Sequence, residues 1–125
     1  MAAVAQIFAI VAGLFHVGAF ILESVMFHRP GVQRLLVGRA EMSPAVRLWA
    51  FNQGFYNLFL GAGAIIGAIL WVSGADMPGR TLVIYTATFM ALCGVVLFVS
   101  DRTLWRGMIG QSTPPLVALA AALAA

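Results

Sequence analysis

Between Arg47 and Asp76 the chain carries no charged side chain, and from Leu58 onward it reads LFLGAGAIIGAILWV. An apolar stretch of about 20 residues is long enough to cross a bilayer. Within hydrocarbon its backbone N–H and C=O groups must be satisfied internally, which a helix does. Three further apolar stretches accompany it, so the chain divides into candidate spans at residues 2–27, 45–73, 81–99 and 104–125. The connections are HRPGVQRLLVGRAEMSP, GADMPGR and SDRT. Only 9% of the residues are charged, against about 25% in an ordinary soluble domain. The expected architecture is an all-α membrane protein, one four-transmembrane-helix bundle over residues 1–125. The first 22 residues lack a positively charged leader and their apolar run is too long for a signal peptide, so the first helix is expected to be retained.

The arginines assign an orientation. Arg29, Arg34, Arg39 and Arg47 lie in or beside the first connection, Arg102 and Arg106 flank the third, and Arg80 alone sits in the second. The positive-inside rule then makes the first and third connections cytoplasmic and both termini external, N-out and C-out. The net charge of +3 describes a collar facing anionic headgroups. It forms no basic stripe on a soluble face, so nucleic acid is not an expected partner; the lipid bilayer is. Within the first connection, Val32, Leu35, Leu36 and Met42 alternate with Gln33, Arg34, Arg39 and Glu41, as in a short segment lying in the interface. Pro30-Gly31 should turn the chain out of the first helix, and Ser43-Pro44 is an N-cap followed by proline at the first helical position. Trp49, Trp71 and Trp105 fall near helix ends, where aromatic belts sit.

Against this apolar background the polar residues carry the information. A charged group at the centre of a span costs about 3 kcal/mol on insertion scales and normally faces the protein interior. The first helix holds His16 and Glu23, which lie within about 20° on the helical wheel and about 10 Å apart along the axis. They share their stripe with Phe20 and Phe27. On the second helix Asn52, Gln53, Tyr56 and Asn57 fan over about 140° of one face, with Asn52 and Gln53 at the depth of Glu23 and Tyr56 and Asn57 reaching toward His16. Gln111 lies about two turns into the fourth helix, ahead of Pro114 and Pro115, which remove two backbone donors. Amides between membrane helices also serve simply as packing contacts, worth about 0.6 kcal/mol each, and Gly54, Gly61, Gly63 and Gly67 favour close helix approach. The single cysteine, Cys93, excludes an intrachain disulfide and reads as a small buried apolar side chain.

His16-x6-Glu23, the block Asn52-Gln53-Gly54-x-Tyr56-Asn57-x-Phe59-Leu60-x-x-Gly63, and Gly110-Gln111 followed by Pro115-Leu116-Val117-Ala118-Leu119 resemble a bacterial family of small four-helix integral membrane proteins catalogued as a domain of unknown function. The resemblance covers almost the whole chain and departs at Phe27-His28-Arg29-Pro30, where that family's pattern has a tryptophan. It implies a multi-pass protein of the bacterial inner membrane and supplies no reaction and no ligand.

Three functions fit these residues. The first is an intramembrane pocket on the cytoplasmic side, formed by Glu23, His16, Asn52, Gln53, Tyr56, Asn57 and Gln111, for a small or amphipathic ligand. A carboxyl with a histidine can also transfer protons; small isomerases of the emopamil-binding type use acids, histidine and amides inside a helix bundle, by analogy only. The sequence has no cofactor motif, no obvious nucleophile, and too few ligands for a metal. The second is a proton-coupled small transporter like the small multidrug resistance proteins, which use a glutamate in the first helix; the arginine bias here opposes their dual topology. The third is a structural or accessory subunit, as a homo-oligomer or within a larger membrane complex.

Overall fold

The computed structural model describes residues 1–40 and 43–125, all of whose regular elements are helical. Helix α1 spans Ala2–Phe20 and continues through a wider turn, Ile21–Val25, closed by a bond from the Met26 N–H to the Ile21 carbonyl. A short helix α2 follows at Pro30–Val37, then α3 at Pro44–Val72, α4 at Asp76–Ser100, a single 3-10 turn at Arg102–Leu104, and α5 at Trp105–Leu123. Three segments are long and apolar enough to cross a membrane: Ala2–Val25, Pro44–Val72 and Asp76–Ser100. They mark the chain as a membrane protein. Helix α5 is long but carries Arg106, Gln111, Ser112, Thr113 and two prolines in its first half, and it does not reach the same apolarity.

The four long helices form a ring in which α1 packs on α3 and α5, and α4 packs on the same two. Every neighbouring pair is antiparallel. Ser24 meets Phe51 while Gly13 meets Ile65; Gly79 meets Trp71 while Thr86 meets Gly63; Ser112 meets Ala91 and Gly94. The ring therefore collects Arg29, Arg34, Arg39, Arg47, Arg102 and Arg106 at one end and leaves Asp76 and Arg80 at the other.

Small side chains set the helix spacing. A Cβ on Gly61 would stand 2.6 Å from the Gly13 carbonyl oxygen, and one on Gly67 would stand 2.8 Å from the Leu82 Cβ. Neither position leaves room for a side chain without separating the helices. Gly63 is looser, with the Thr86 methyl at 3.4 Å. The core between the helices is built largely from alanine, with Ala5, Ala9, Ala68, Val83, Ala118 and Ala121 toward the Asp76 end. Ala12, Ala64 and Met90 fill the middle.

Several boundaries differ from those read in the sequence. The first helix stops at the wide turn ending at Val25, short of residue 27. Helix α4 begins at Asp76, ahead of residue 81, because Pro78 lies in its first turn, where a missing N–H costs nothing. Pro30 likewise starts a helix instead of ending one, with Arg29 as the extended N-cap. Ser43 caps α3 as expected, its hydroxyl accepting the Val46 N–H at 3.3 Å. Pro114 and Pro115 sit inside a continuous α5. On α2, Gln33 belongs to the buried face, at 0% exposure, and donates its amide N–H to the Phe27 carbonyl at 2.8 Å. It thereby ties α2 to the chain leaving α1. Glu41 and Met42, which the sequence reading places in the same interfacial segment, lie outside the described residues.

Candidate functional site

The wide turn at Ile21–Val25 places the one acidic residue of the first span. An i→i+5 turn inserts an extra residue into helical register and is common at functional sites. Here it orients two consecutive side chains toward α3. Ser24 donates its hydroxyl to the Phe51 carbonyl at 2.8 Å, and its Oγ occupies the space a Cβ on Gly54 would need. Glu23 Oε2 accepts the Asn57 side-chain N–H at 2.7 Å. Gly54 is therefore an opening for Ser24, and the close approach brings the carboxyl within reach of Asn57.

A cleft of about 500 Å³ opens beside Glu23. Its walls come from three elements: Phe27 beyond the wide turn, Val37 at the end of α2, and Val46, Trp49, Ala50 and Gln53 on α3. Val46, Ala50, Gln53 and Asn57 recur at i, i+4, i+7 and i+11, one stripe of a helix. The cleft is mostly apolar, with Glu23 and Gln53 as the polar side chains among its described residues.

Other candidates from the sequence lie elsewhere. His16 is buried at 2% exposure, between α1 and α3 beside Gly61. Its Nδ1–H donates to the Ala12 carbonyl at 2.9 Å in its own helix, and its ring meets Phe15 edge-on at 5.6 Å. In the neutral ring Nε2 is then an acceptor. Asn52 is exposed and donates to the Leu48 carbonyl one turn back, at 2.9 Å. Tyr56 is 72% exposed. Gln111 points across to α4, its amide 3.5 Å from the Met90 carbonyl. The reason is geometric: a 140° arc is wider than the strip of one helix that can touch a neighbour, so Asn57 and Gln53 meet the Glu23 side while Asn52 and Tyr56 turn outward.

Two contributors escaped the sequence reading. Ser24 is inconspicuous in the sequence beside Glu23, although a hydroxyl opposite a glycine of a neighbouring helix is a recurrent packing pair. Gln33 falls among the polar residues of the interfacial segment in the sequence; its i, i+3 spacing from Leu36 is the available sign that it belongs to the buried face.

The family described as Protein of unknown function (DUF1304) matches residues 10–123. The chain belongs to that family. The DUF1304 match enters α1 at Ile10 and takes in the wide turn, the cleft lining and helices α2 to α5. A curated relative, "MFS siderochrome iron transporter 1" of Ceriporiopsis subvermispora (strain B), is 35% identical over 68 residues. That alignment takes in 54% of this chain and 13% of the relative, so the chain spans a small fraction of that protein's length. No solved structure matches the chain significantly.

Proposed function

We propose that this DUF1304 protein is a four-span protein of the bacterial inner membrane that binds a small or amphipathic ligand in the cleft beside Glu23. The observation that carries the reading is the Glu23–Asn57 pair, at 2.7 Å, set at the edge of an apolar cleft of about 500 Å³. A volume of that order fits the usual range for small-molecule sites, and a few polar groups on apolar walls is their usual make-up. The antiparallel ring supports a fourth span by α5. The clustering of six arginines at the cleft end supports a cytoplasmic position for that end, with both termini outside. Filling the cleft tests the reading. Native mass spectrometry of protein extracted in mild detergent should detect a bound small molecule that is absent from Ala50→Trp. Identical adducts on the two proteins would rule the cleft out as the binding place.

A transport role is the second reading, favoured by the partial similarity to a protein named as an iron–siderochrome transporter. Ala12, Ala64 and Met90 fill the middle of the bundle, so passage across the membrane would need a partner chain or a second copy. Trp49, Asn52, Tyr56 and Phe59 form an exposed seam on α3 that supports such an assembly. Reconstituted vesicles of the single protein should show no proton flux coupled to an added siderophore; a saturable flux would favour transport over binding.

A further inference from the structure

Building on the cleft reading, we infer that the ligand's head group carries one positive charge, an ammonium or similar organic cation attached to an apolar body. The polar inventory of the cleft points there. Among the described residues Asn57 is the hydrogen-bond partner of the Glu23 carboxyl, and it engages only Oε2. None of the six arginines at this end of the bundle lines the cleft. An ionised carboxylate has about four lone-pair sites for donors, and one amide N–H leaves most of them open. A carboxylate so placed is completed by a cation or by a proton. Gln53 adds a neutral amide at the rim. Phe27 and Trp49 line the same space, and a cation over an aromatic face within about 6 Å of its centre gains further attraction. Val46 and Ala50 continue the wall away from the charge and offer an apolar track for a tail. An anionic head would meet the one acidic group among the described lining residues, and a neutral head would leave that group to be completed by a proton.

The class follows from the lining itself. Basic side chains are plentiful at this end of the molecule, yet among the described residues the one charged group bordering the cleft is the Glu23 carboxylate. Electrostatic attraction between unit charges is several times stronger at an effective dielectric of about 20 than in water, so this group dominates selection among amphiphiles of equal apolar body.

The test uses the full chain in nanodiscs and three probes with the same ten-carbon tail: decyltrimethylammonium, decanol and decyl sulfate. Binding is scored as the excess over empty nanodiscs that Ala50→Trp removes. The ammonium probe is expected to bind at least tenfold tighter than either other probe. Glu23→Gln, which keeps an acceptor for Asn57, should erase that preference, while Glu23→Asp, retaining the charge on a shorter arm, should preserve its sign. Circular dichroism of each variant checks that it has folded. Equal cleft-dependent binding of all three probes, or preference for the sulfate, overturns the cationic class and leaves the cleft standing. An ammonium preference unchanged in folded Glu23→Gln also overturns it. If none of the probes shows binding sensitive to Ala50→Trp, the class and the cleft reading fall together.

Discussion

Asn57 and Tyr56 are adjacent, polar and within one turn of each other, yet only Asn57 reaches the carboxyl at 2.7 Å while Tyr56 is 72% exposed. One step of about 100° around the helix separates a partner from an outward-facing ring. Composition gives no hint of which residue is which, because both are plausible donors to Glu23. The depth of Glu23 was legible; the identity of its partner depended on the wide turn at Ile21–Val25, which the sequence spacing did not reveal. Asn57→Ala should lower stability by about 1 kcal/mol, between the average for a membrane hydrogen bond and that for a bond to a charged group. Asn52→Ala, losing only an exposed bond within its own helix, should cost less. Detergent-denaturation midpoints of the two variants check this. Outside the spans, Asp101 accepts the Thr103 N–H at 2.9 Å and its hydroxyl at 2.6 Å. These bonds hold the Asp101 carboxyl below its ordinary value of 3.8. The depressed value means that the bonds stabilise the turn above pH 3.8 and that the contribution is lost as pH falls through the lower, folded value. An NMR titration should find the midpoint below 3.8, and Thr103→Val should return it toward that value.

Glycine positions decide how closely the helices run. In the sequence Gly61, Gly63 and Gly67 all favour close helix approach, but of these only Gly61 against Gly13 and Gly67 against α4 make tight contacts. Periodicity identifies small residues without saying which neighbour each one faces; that is fixed when the helices take their order around the ring. Gly61→Ala should cost about 1–3 kcal/mol, since its new methyl meets backbone at 2.6 Å and the helix pair must shift. Gly63→Ala faces only the Thr86 methyl at 3.4 Å and gains helix propensity, so it should fall within about 1 kcal/mol of the parent, in either direction. Thermal unfolding of both variants in detergent separates the two cases. Helices α2 and α4 show the same limit for prolines. In the sequence Pro30 turns the chain out of the first helix and Pro78 falls in the connection GADMPGR, yet both sit in first helical turns, where the fixed φ is an advantage.

The ring order and the arginine distribution together make a prediction for the whole molecule. In a Cys93→Ala background, cysteine introduced by Arg39→Cys should be labelled from the cytoplasmic side and by Gly74→Cys from the opposite side. Ala125→Cys should share the side of Gly74→Cys if α5 crosses the membrane. Labelling of Ala125→Cys together with Arg39→Cys would leave three spans and displace α5 to the cytoplasmic face. The apolarity of α5 alone does not decide between these outcomes, because its polar half is shared between packing on α4 and the two prolines. A reagent that reaches Arg39→Cys and Gly74→Cys from the same side would overturn the orientation as a whole.

The sequence by itself determined that this is a helical membrane protein, where its three most apolar spans run, and that Glu23 is the costly residue among them. Those conclusions rest on hydrophobicity and chain length, which are properties of each segment taken alone. Tertiary structure decided that Glu23 meets Asn57 beside a cleft, that His16 bonds within its own helix, that Asn52 and Tyr56 turn outward, and that Gln33 is buried. Each of these depends on the rotation of one helix against another. Local sequence leaves that angle open, and close packing at Gly13, Gly54 and Gly61 fixes it.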